Sequence, residues 1–105
     1  MENVFTLEAP FDYFDQVPVL LNMNYQTDLL RQESRSKDVR RLDIAEFTVT
    51  SADACVDVWM ERRLGNKRVF LMIVPRDNRN PDGADVLLGR MIVGLFLANG
   101  AFFEA

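Results

Sequence analysis

The chain has 105 residues and a net charge of −4, with 49% apolar and 27% charged residues, a profile of globular rather than disordered or fibrous proteins. It contains no histidine and one cysteine. Histidine is the usual general base near neutral pH and the commonest metal ligand, so these counts exclude Ser-His-Asp and Cys-His catalysis and disfavour a zinc site. We therefore expect a binding function without catalysis, metal or cofactor.

The first third of the chain predicts one extended segment and one helix. The opening residues are acidic and lack a basic region, so no secretory signal is expected. The short mixed run at 4–10 predicts extended backbone before Pro10. Because proline suits the first turn of a helix, Pro18 predicts a helix start, and the helix is placed over Val19–Glu33. The polar SRSK stretch at 34–37 then predicts a loop.

The middle of the chain predicts three strands joined by short turns. In the second strand apolar residues alternate with Asp57, Trp59 and Glu61, the period-two pattern of a half-buried strand. Gly65 and Asn66 tolerate positive φ, as a hairpin turn requires. The three strands are predicted over Arg40–Val49, Ala54–Arg62 and Arg68–Val74.

A helix over residues 52–64 is the alternative to the second strand. Ala52, Cys55, Trp59 and Arg63 also fall at helical spacing, and Ser51 is a suitable cap. The β-branched and aromatic content favours the strand, and the choice stays open at this point.

The C-terminal third predicts a loop and a helix. Two prolines, a glycine and several Asn and Asp residues mark 75–83 as a loop. A continuous apolar stripe predicts a helix over Ala84–Ala98, with Gly100 as its terminating glycine. The stripe consists of Leu87, Leu88, Met91, Ile92, Leu95 and Phe96. Gly89 and Gly94 inside this helix each weaken it relative to alanine, unless they let another backbone approach closely.

Together these elements predict a single small α+β domain over residues 1–105. It comprises an N-terminal helix, a three-stranded antiparallel meander and a C-terminal helix packed on the sheet. Acidic segments at 1–30 and 42–61 alternate with basic segments at 31–41 and 62–79. The alternation indicates either blocks that pair across the fold or a bipolar surface that steers a charged partner.

A basic cluster around the predicted hairpin is the strongest candidate for partner binding. Arginine beside an exposed tryptophan is typical of interface hot spots. The competing interpretation is a solvated hairpin end with the tryptophan covered by a helix. The candidate partner-binding residues are Trp59, Arg62, Arg63, Lys67, Arg68, Arg76 and Arg79.

The C-terminal apolar residues are the candidates for a second contact. They exceed what one small domain readily buries, so they predict either a homodimer interface or packing of the tail on the core. These residues are Leu95, Phe96, Phe102 and Phe103.

Two chemically interesting groups receive structural interpretations. Asp12 and Asp15 form a carboxylate pair, but nothing locates a substrate cleft beside them, so solvated acids are favoured. Cys55 lies near Asp53 and Asp57, which raise the pKa of a thiol, so a buried structural cysteine is favoured over a nucleophile.

The leading hypothesis is a small acidic cytoplasmic protein that binds another protein as an inhibitor, an immunity-type or phage antagonist, or a chaperone-like adaptor. The single cysteine is consistent with a reducing compartment, and the apolar stretch Met91–Phe103 is too short to span a membrane, which takes about 20 residues. The alternative is nucleic-acid binding through the basic hairpin and the 31–41 block, which the negative net charge disfavours.

Overall fold

The computed structural model describes residues 2–37, 40–63, 65 and 67–103, with the backbone alone at 36, 37 and 40. Six strands and two helices make up this part of the chain. In chain order they are β1 (Phe5–Pro10), α1 (Tyr13–Asn24), β2 (Gln26–Lys37), β3 (Arg40–Ser51), β4 (Ala54–Arg63), β5 (Arg68–Pro75), α2 (Ala84–Ala98) and β6 (Phe102–Phe103).

All six strands form one antiparallel sheet in the order β2-β3-β4-β5-β1-β6. Strands β2 to β5 follow one another as hairpins. The first strand of the chain then joins β5 on the far side, with Leu7 opposite Leu71, and the short β6 joins β1. As a result β2 and β6 are the two edges of the sheet.

The prediction of an N-terminal helix followed by a three-stranded meander is wrong. The first element is a strand, and the sheet has six strands rather than three. The three central strands and the C-terminal helix do lie where the sequence predicts them. The alternative helix over 52–64 is also wrong, because residues 54–63 pair with both neighbouring strands. Gly65 in the following turn has a φ of +93°, as predicted, whereas Asn66 lies outside the described residues.

The helix predicted over Val19–Glu33 is the second error. The helix instead begins at Tyr13, continues through Pro18 and ends at Asn24. Tyr25 then adopts extended backbone, and the next twelve residues, including the predicted SRSK loop, form the edge strand β2. The residues of β2 have high helical propensity, but the ladder of hydrogen bonds with β3 outweighs that preference.

Both helices pack on one face of the sheet. Along β4 and β5 alternate residues are buried, and these side chains form one apolar cluster with those of α1 and α2. Gly89 allows close approach of α2, since a Cβ there would lie 3.0 Å from Pro75 Cγ and 3.2 Å from Phe5 Cε2. Tyr13 joins the two helices: its hydroxyl donates a hydrogen bond to the Phe96 carbonyl at 3.1 Å.

Asp85 fixes the start of α2. Gly83, the residue before the helix, has no side chain to cap it. One oxygen of the Asp85 carboxylate accepts a hydrogen bond from the Cys55 N–H at 2.8 Å, and the other accepts one from the Asp77 N–H at 2.9 Å. The helix start is thereby tied to β4 and to the loop before it. Within the described ranges, neither helix combines the length and hydropathy that a bilayer crossing requires.

Candidate functional site

The face of the sheet opposite the helices is the largest candidate site, and we call it the open face. Its side chains do not belong to the apolar cluster under the helices, and they range from buried, as at Ile44 and Thr48, through half-buried, as at Trp59, to exposed, as at Arg63. Phe70, Met72 and Val74 form an apolar stripe along β5. The open face comprises Thr6, Glu8, Asp28, Arg31, Glu33, Arg35, Ile44, Glu46, Thr48, Asp57, Trp59, Glu61, Arg63, Arg68, Phe70, Met72 and Val74.

Trp59 lies at the centre of this face. Across the sheet its neighbours are Glu46 on β3 and Met72 on β5. Its indole Nε1 donates a hydrogen bond to Glu61 at 3.1 Å, and the Arg31 guanidinium lies 5.4 Å from the ring centre. Trp59 therefore lies between the apolar stripe of β5 and a region rich in carboxylates. It shares this face with Asp57 and Glu61, as the alternation in the sequence predicts.

Three arginine–glutamate pairs lie on the open face at the end of the sheet that carries the β2–β3 and β4–β5 turns, which we call the hairpin end. Arg35 contacts Glu33 at 2.8 Å, Arg63 contacts Glu61 at 3.7 Å, and Arg68 contacts Glu8 at 2.9 Å. Hydrogen bonds from Arg31 and Arg35 lower the pKa of Glu33 to about 2 against the opposing effect of burial. These arginines are thus paired within the chain.

The predicted basic cluster does not form one patch. Neighbouring residues of a strand point to opposite faces, so Arg63 and Arg68 lie on the open face and Arg62 on the helix-covered face. Lys67 is exposed in the β4–β5 turn. The remaining two predicted residues, Arg76 and Arg79, follow β5 at the other end of the sheet, roughly 26 Å away along β5.

Arg62 belongs instead to a polar cluster beside α1. Its Nε and Nη2 donate hydrogen bonds to Asp43 Oδ2 at 3.2 and 3.0 Å. Its guanidinium also lies 4.5 Å from the ring centres of both Phe11 and Phe14, and 3.8 Å from a carboxylate oxygen of Asp15. This arrangement ties the first turn of α1 to β3 and β4.

Asp43 is the acceptor at the centre of the same cluster. Its Oδ1 accepts hydrogen bonds from Ser34 at 2.7 Å and from Arg41 at 2.9 Å. Burial alone would raise the pKa of Asp43, but the hydrogen bonds from Ser34, Arg62 and Arg41 outweigh it and hold the pKa below its ordinary value. The sequence reasoning missed Asp43, although it alternates with Ala45, Phe47 and Val49 and so had to lie on the apolar face.

A cavity of about 200 Å³ adjoins this cluster between α1 and the β2–β3 hairpin. Apolar side chains dominate its walls, and Asp15 and Gln32 lie at the end toward Arg62. The lining residues are Phe14, Asp15, Pro18, Leu29, Gln32, Ala45, Phe47 and Met60. The balanced charges around Arg62 give this cavity no preference for an anion or a cation.

The C-terminal candidates separate into core and edge. Phe96 is fully buried beneath the sheet and cannot serve as an interface residue in this fold, while Leu95 is half-buried. Phe102 and Phe103 form β6 against β1. The Arg68 guanidinium lies 5.1 Å from the Phe102 ring, and Phe103 remains 59% exposed.

Cys55 is half-buried rather than buried as the sequence predicts, and neither it nor the Asp12 and Asp15 pair lies in surroundings suited to catalysis. Burial raises the pKa of the Cys55 thiol, and Asp57 and Asp85 add to the rise against the effect of Arg76, so the thiolate is disfavoured. Asp12 precedes α1 without a side-chain capping bond, and Asp15 is exposed. Across the described ranges, no three carboxylate or thiol side chains group as metal ligands.

Comparison of the chain with protein-family models, with curated proteins and with solved structures finds no match.

Proposed function

We propose that this protein is a small protein-binding module that acts without catalysis and docks its partner on the open face. The observation that carries the proposal is the uneven coverage of the sheet. Both helices cover one face, while the other presents Trp59 beside the apolar stripe of Phe70, Met72 and Val74. An aromatic anchor beside half-buried apolar side chains and a charged rim is the composition of a protein interface.

The charges around Trp59 define the chemistry of the proposed partner. Glu46, Asp57 and Glu61 surround the indole, against the single guanidinium of Arg31 over its ring. The arginines at the hairpin end already contact glutamates of the same chain. The best complement is therefore a protein surface that sets apolar side chains on β5 and places lysine or arginine next to Trp59.

An inhibitor, an immunity-type or phage antagonist and a chaperone-like adaptor all fit such a module. The free Cys55 is consistent with the cytoplasm as the proposed location. Nucleic-acid binding through the basic hairpin has weaker support, because Arg63 and Arg68 contact glutamates and Arg62 lies on the other face. Phosphate binding would have to compete with those contacts.

The proposal is tested by affinity capture from the organism that encodes the protein, with three forms of the chain as bait. Met72→Lys places a cation in the apolar stripe of the open face. Met91→Lys makes the same change on the outer side of α2, where Met91 is 58% exposed. We expect wild type and Met91→Lys to retain the same partner and Met72→Lys to lose it, while circular dichroism shows that all three are folded.

Trp59 supplies a second readout that needs no variant. It is the only tryptophan in the chain, so intrinsic fluorescence reports on the centre of the open face. Titration with the purified partner should shift the emission of Trp59, provided that the signal of the partner is subtracted. A partner that binds without changing this emission, or that Met72→Lys retains as strongly as wild type, would show that another surface is used.

A further inference from the structure

β2 is an edge strand of 12 residues, which is long for a strand, and its outer side is unpaired among the described residues. β2 is the last strand on its side of the sheet, so the backbone N–H and C=O groups along its outer side have no strand partner among the described residues. It runs over Gln26–Lys37 without a proline, and its Leu29 and Leu30 are each 54% exposed. Such an edge is a template on which another strand can add.

A bulge determines which side chains of β2 share a face. Leu29 pairs with Phe47 and Arg31 with Glu46, so Leu30 is an extra residue between adjacent rungs of the ladder. With this bulge counted, four charged residues among the β2 residues with described side chains lie on the open face, in the order Asp28, Arg31, Glu33, Arg35. Their signs, read along the strand, are minus, plus, minus, plus.

We propose that a second copy of this chain pairs antiparallel along β2, about a twofold axis that passes by Gln32. Reading the rungs outward from this axis places Arg31 opposite Glu33 of the second copy. Two rungs further out, across the bulge, Asp28 lies opposite Arg35 of the second copy. The symmetry repeats both contacts, so each of these four charged residues meets an opposite charge.

Neighbouring registers lack this complementarity. An axis at Arg31 places two arginines opposite each other and Asp28 opposite a glutamate, and an axis at Glu33 places two glutamates opposite each other. An axis at Leu29 leaves Glu33 and Arg35 without an opposite charge, and an axis at Ser34 places Arg31 opposite Lys37; both also shorten the ladder. Like charges that face each other across a ladder oppose pairing. The charged side chains of β2 therefore disfavour pairing with strands of unrelated sequence, but they favour pairing of β2 with a second copy of itself in the register about Gln32.

This association does not rest on the proposed partner binding, because strand pairing uses the backbone edge of β2 whereas the partner would dock around Trp59; the two surfaces share only the border formed by the charged residues of β2. The twofold axis is perpendicular to the sheet, so the two open faces lie on the same side of one continuous sheet. The dimer uses a different surface from the C-terminal apolar residues that the sequence suggests.

Sedimentation equilibrium of purified wild type and four variants tests the register. Arg31→Glu and Glu33→Arg each replace opposite charges by like charges at both symmetry-related contacts, and each should weaken dimerisation about ten-fold or more. The double exchange R31E/E33R restores opposite charges and should dimerise like wild type. Arg90→Glu makes the same charge change as Arg31→Glu on the exposed side of α2 and should have no effect.

An equimolar mixture of the two single variants separates contacts between copies from contacts within one chain. Arg31 and Glu33 hydrogen-bond to each other at 2.7 Å within the chain, and both single variants lose that bond. Across the proposed interface, however, the new carboxylate of the Arg31→Glu variant would face the new guanidinium of the Glu33→Arg variant. We therefore expect the mixture to form a heterodimer about as readily as wild type forms its dimer, although each variant alone dimerises only weakly.

Three results would overturn the proposal. The first is a wild-type protein that stays monomeric up to about 1 mM, the weak limit of specific association. The second is a dimer that Arg31→Glu leaves intact, or that Arg90→Glu weakens as much as Arg31→Glu does. The third comes from hydrogen exchange, which compares the wild-type dimer with the dilute monomer: amides that become protected in the dimer but lie outside residues 26–37 would contradict the proposal. This measurement needs no variant, so it remains valid if a single variant does not fold.

Discussion

Replacing Asp43 by alanine tests the polar cluster that ties α1 to the sheet. The carboxylate accepts hydrogen bonds from Ser34, Arg41 and Arg62, and these three donors differ in their access to water. Ser34 is exposed and the Arg41 side chain is 56% exposed, so both can bond to water after the substitution. Arg62 is 15% exposed and keeps only the distant Asp15 as a counterion.

Asp43→Ala should lower the free energy of unfolding, because it leaves the nearly buried charge of Arg62 without its main partner. Removing one member of a buried ion pair costs roughly 3–5 kcal/mol, and we take the low end, about 3 kcal/mol, because Asp15 and some solvent remain. Arg62→Met should cost less, about 2 kcal/mol, because Asp43 keeps two donors and the methionine still packs on Phe11 and Phe14.

Urea unfolding at neutral pH measures both values, and the double variant shows whether they share a cause. In the pair Asp43→Ala with Arg62→Met, no buried charge is left without its partner, since Arg41 and Asp15 are exposed to solvent, so the combined loss should be well below the sum of the single losses. Additive losses, or a cost of less than about 1 kcal/mol for Asp43→Ala, would refute the assignment of a coupled buried pair.

The same pair predicts the response of the protein to acid. The pKa of Asp43 in the folded protein lies below its ordinary value of 3.8, so the folded state binds fewer protons than the unfolded state in this range. The contribution to stability is complete above pH 3.8 and is lost as the pH falls through the lowered pKa. Asp43→Asn should reduce the loss of stability at acid pH, measured by urea unfolding as a function of pH. The share of that loss that comes from the lowered pKa of Glu33 should remain.

Three further predictions concern the helices. Gly89→Ala should destabilise the protein by about 1–2 kcal/mol, because its Cβ would meet Pro75 and Phe5. Gly94→Ala has open space around its Cβ and should stabilise the protein by about 1 kcal/mol. Thermal melts should therefore show a lower melting temperature for the first variant and a higher one for the second. Burial raises the pKa of Tyr13 from 10.0 to about 12, so stability should fall as the pH rises through that range, and Tyr13→Phe should remove this loss in alkaline unfolding titrations. Leu88→Asp should abolish the cooperative melt, because Leu88 is 3% exposed and an unpaired charge there costs several kcal/mol; a normal melt would place Leu88 at an interface instead.

The central strands and α2 could be predicted because their sequence pattern agrees with their environment. β4 alternates apolar and polar residues, and one side of it is buried from Ala54 to Met60. Of the apolar stripe predicted on α2, the sheet covers Leu88, Ile92 and Phe96, whereas Leu87 and Met91 are exposed. In such elements the local pattern and the tertiary packing favour the same structure, so the sequence alone is enough.

Strand β2 could not be predicted because its pattern and its environment disagree. QTDLLRQESRSK contains mainly residues that favour helices and has no period-two alternation of apolar and polar residues. Only one side of the strand is paired, and much of it is exposed, so little apolar burial imposes an alternation. Its structure depends on pairing with β3, which is a tertiary contact that no local window contains.

The candidate site was predictable in part, and the error in it was avoidable. Placing Trp59 outward with Asp57 and Glu61 requires Arg63 to share that face and Arg62 to face the other way, since neighbours in a strand alternate. Arg62 and Arg63 therefore cannot belong to one cluster on the open face. The glutamates that pair with Arg63 and Arg68 come from β4 and β1, and the position of β1 beside β5 follows only from the sheet order.

The two proposed surfaces meet at Arg31. Its guanidinium hydrogen-bonds Glu33 and lies over the Trp59 ring, so the same side chain borders the edge of β2 and the centre of the open face. If Glu33 of the second copy draws this guanidinium outward, Trp59 loses its cation and the surrounding carboxylates become freer to bind a basic partner. Self-association would then strengthen partner binding, and by reciprocity a basic partner would favour the dimer. A dimer with two open faces on one side would also bind a two-site partner more tightly than either face alone.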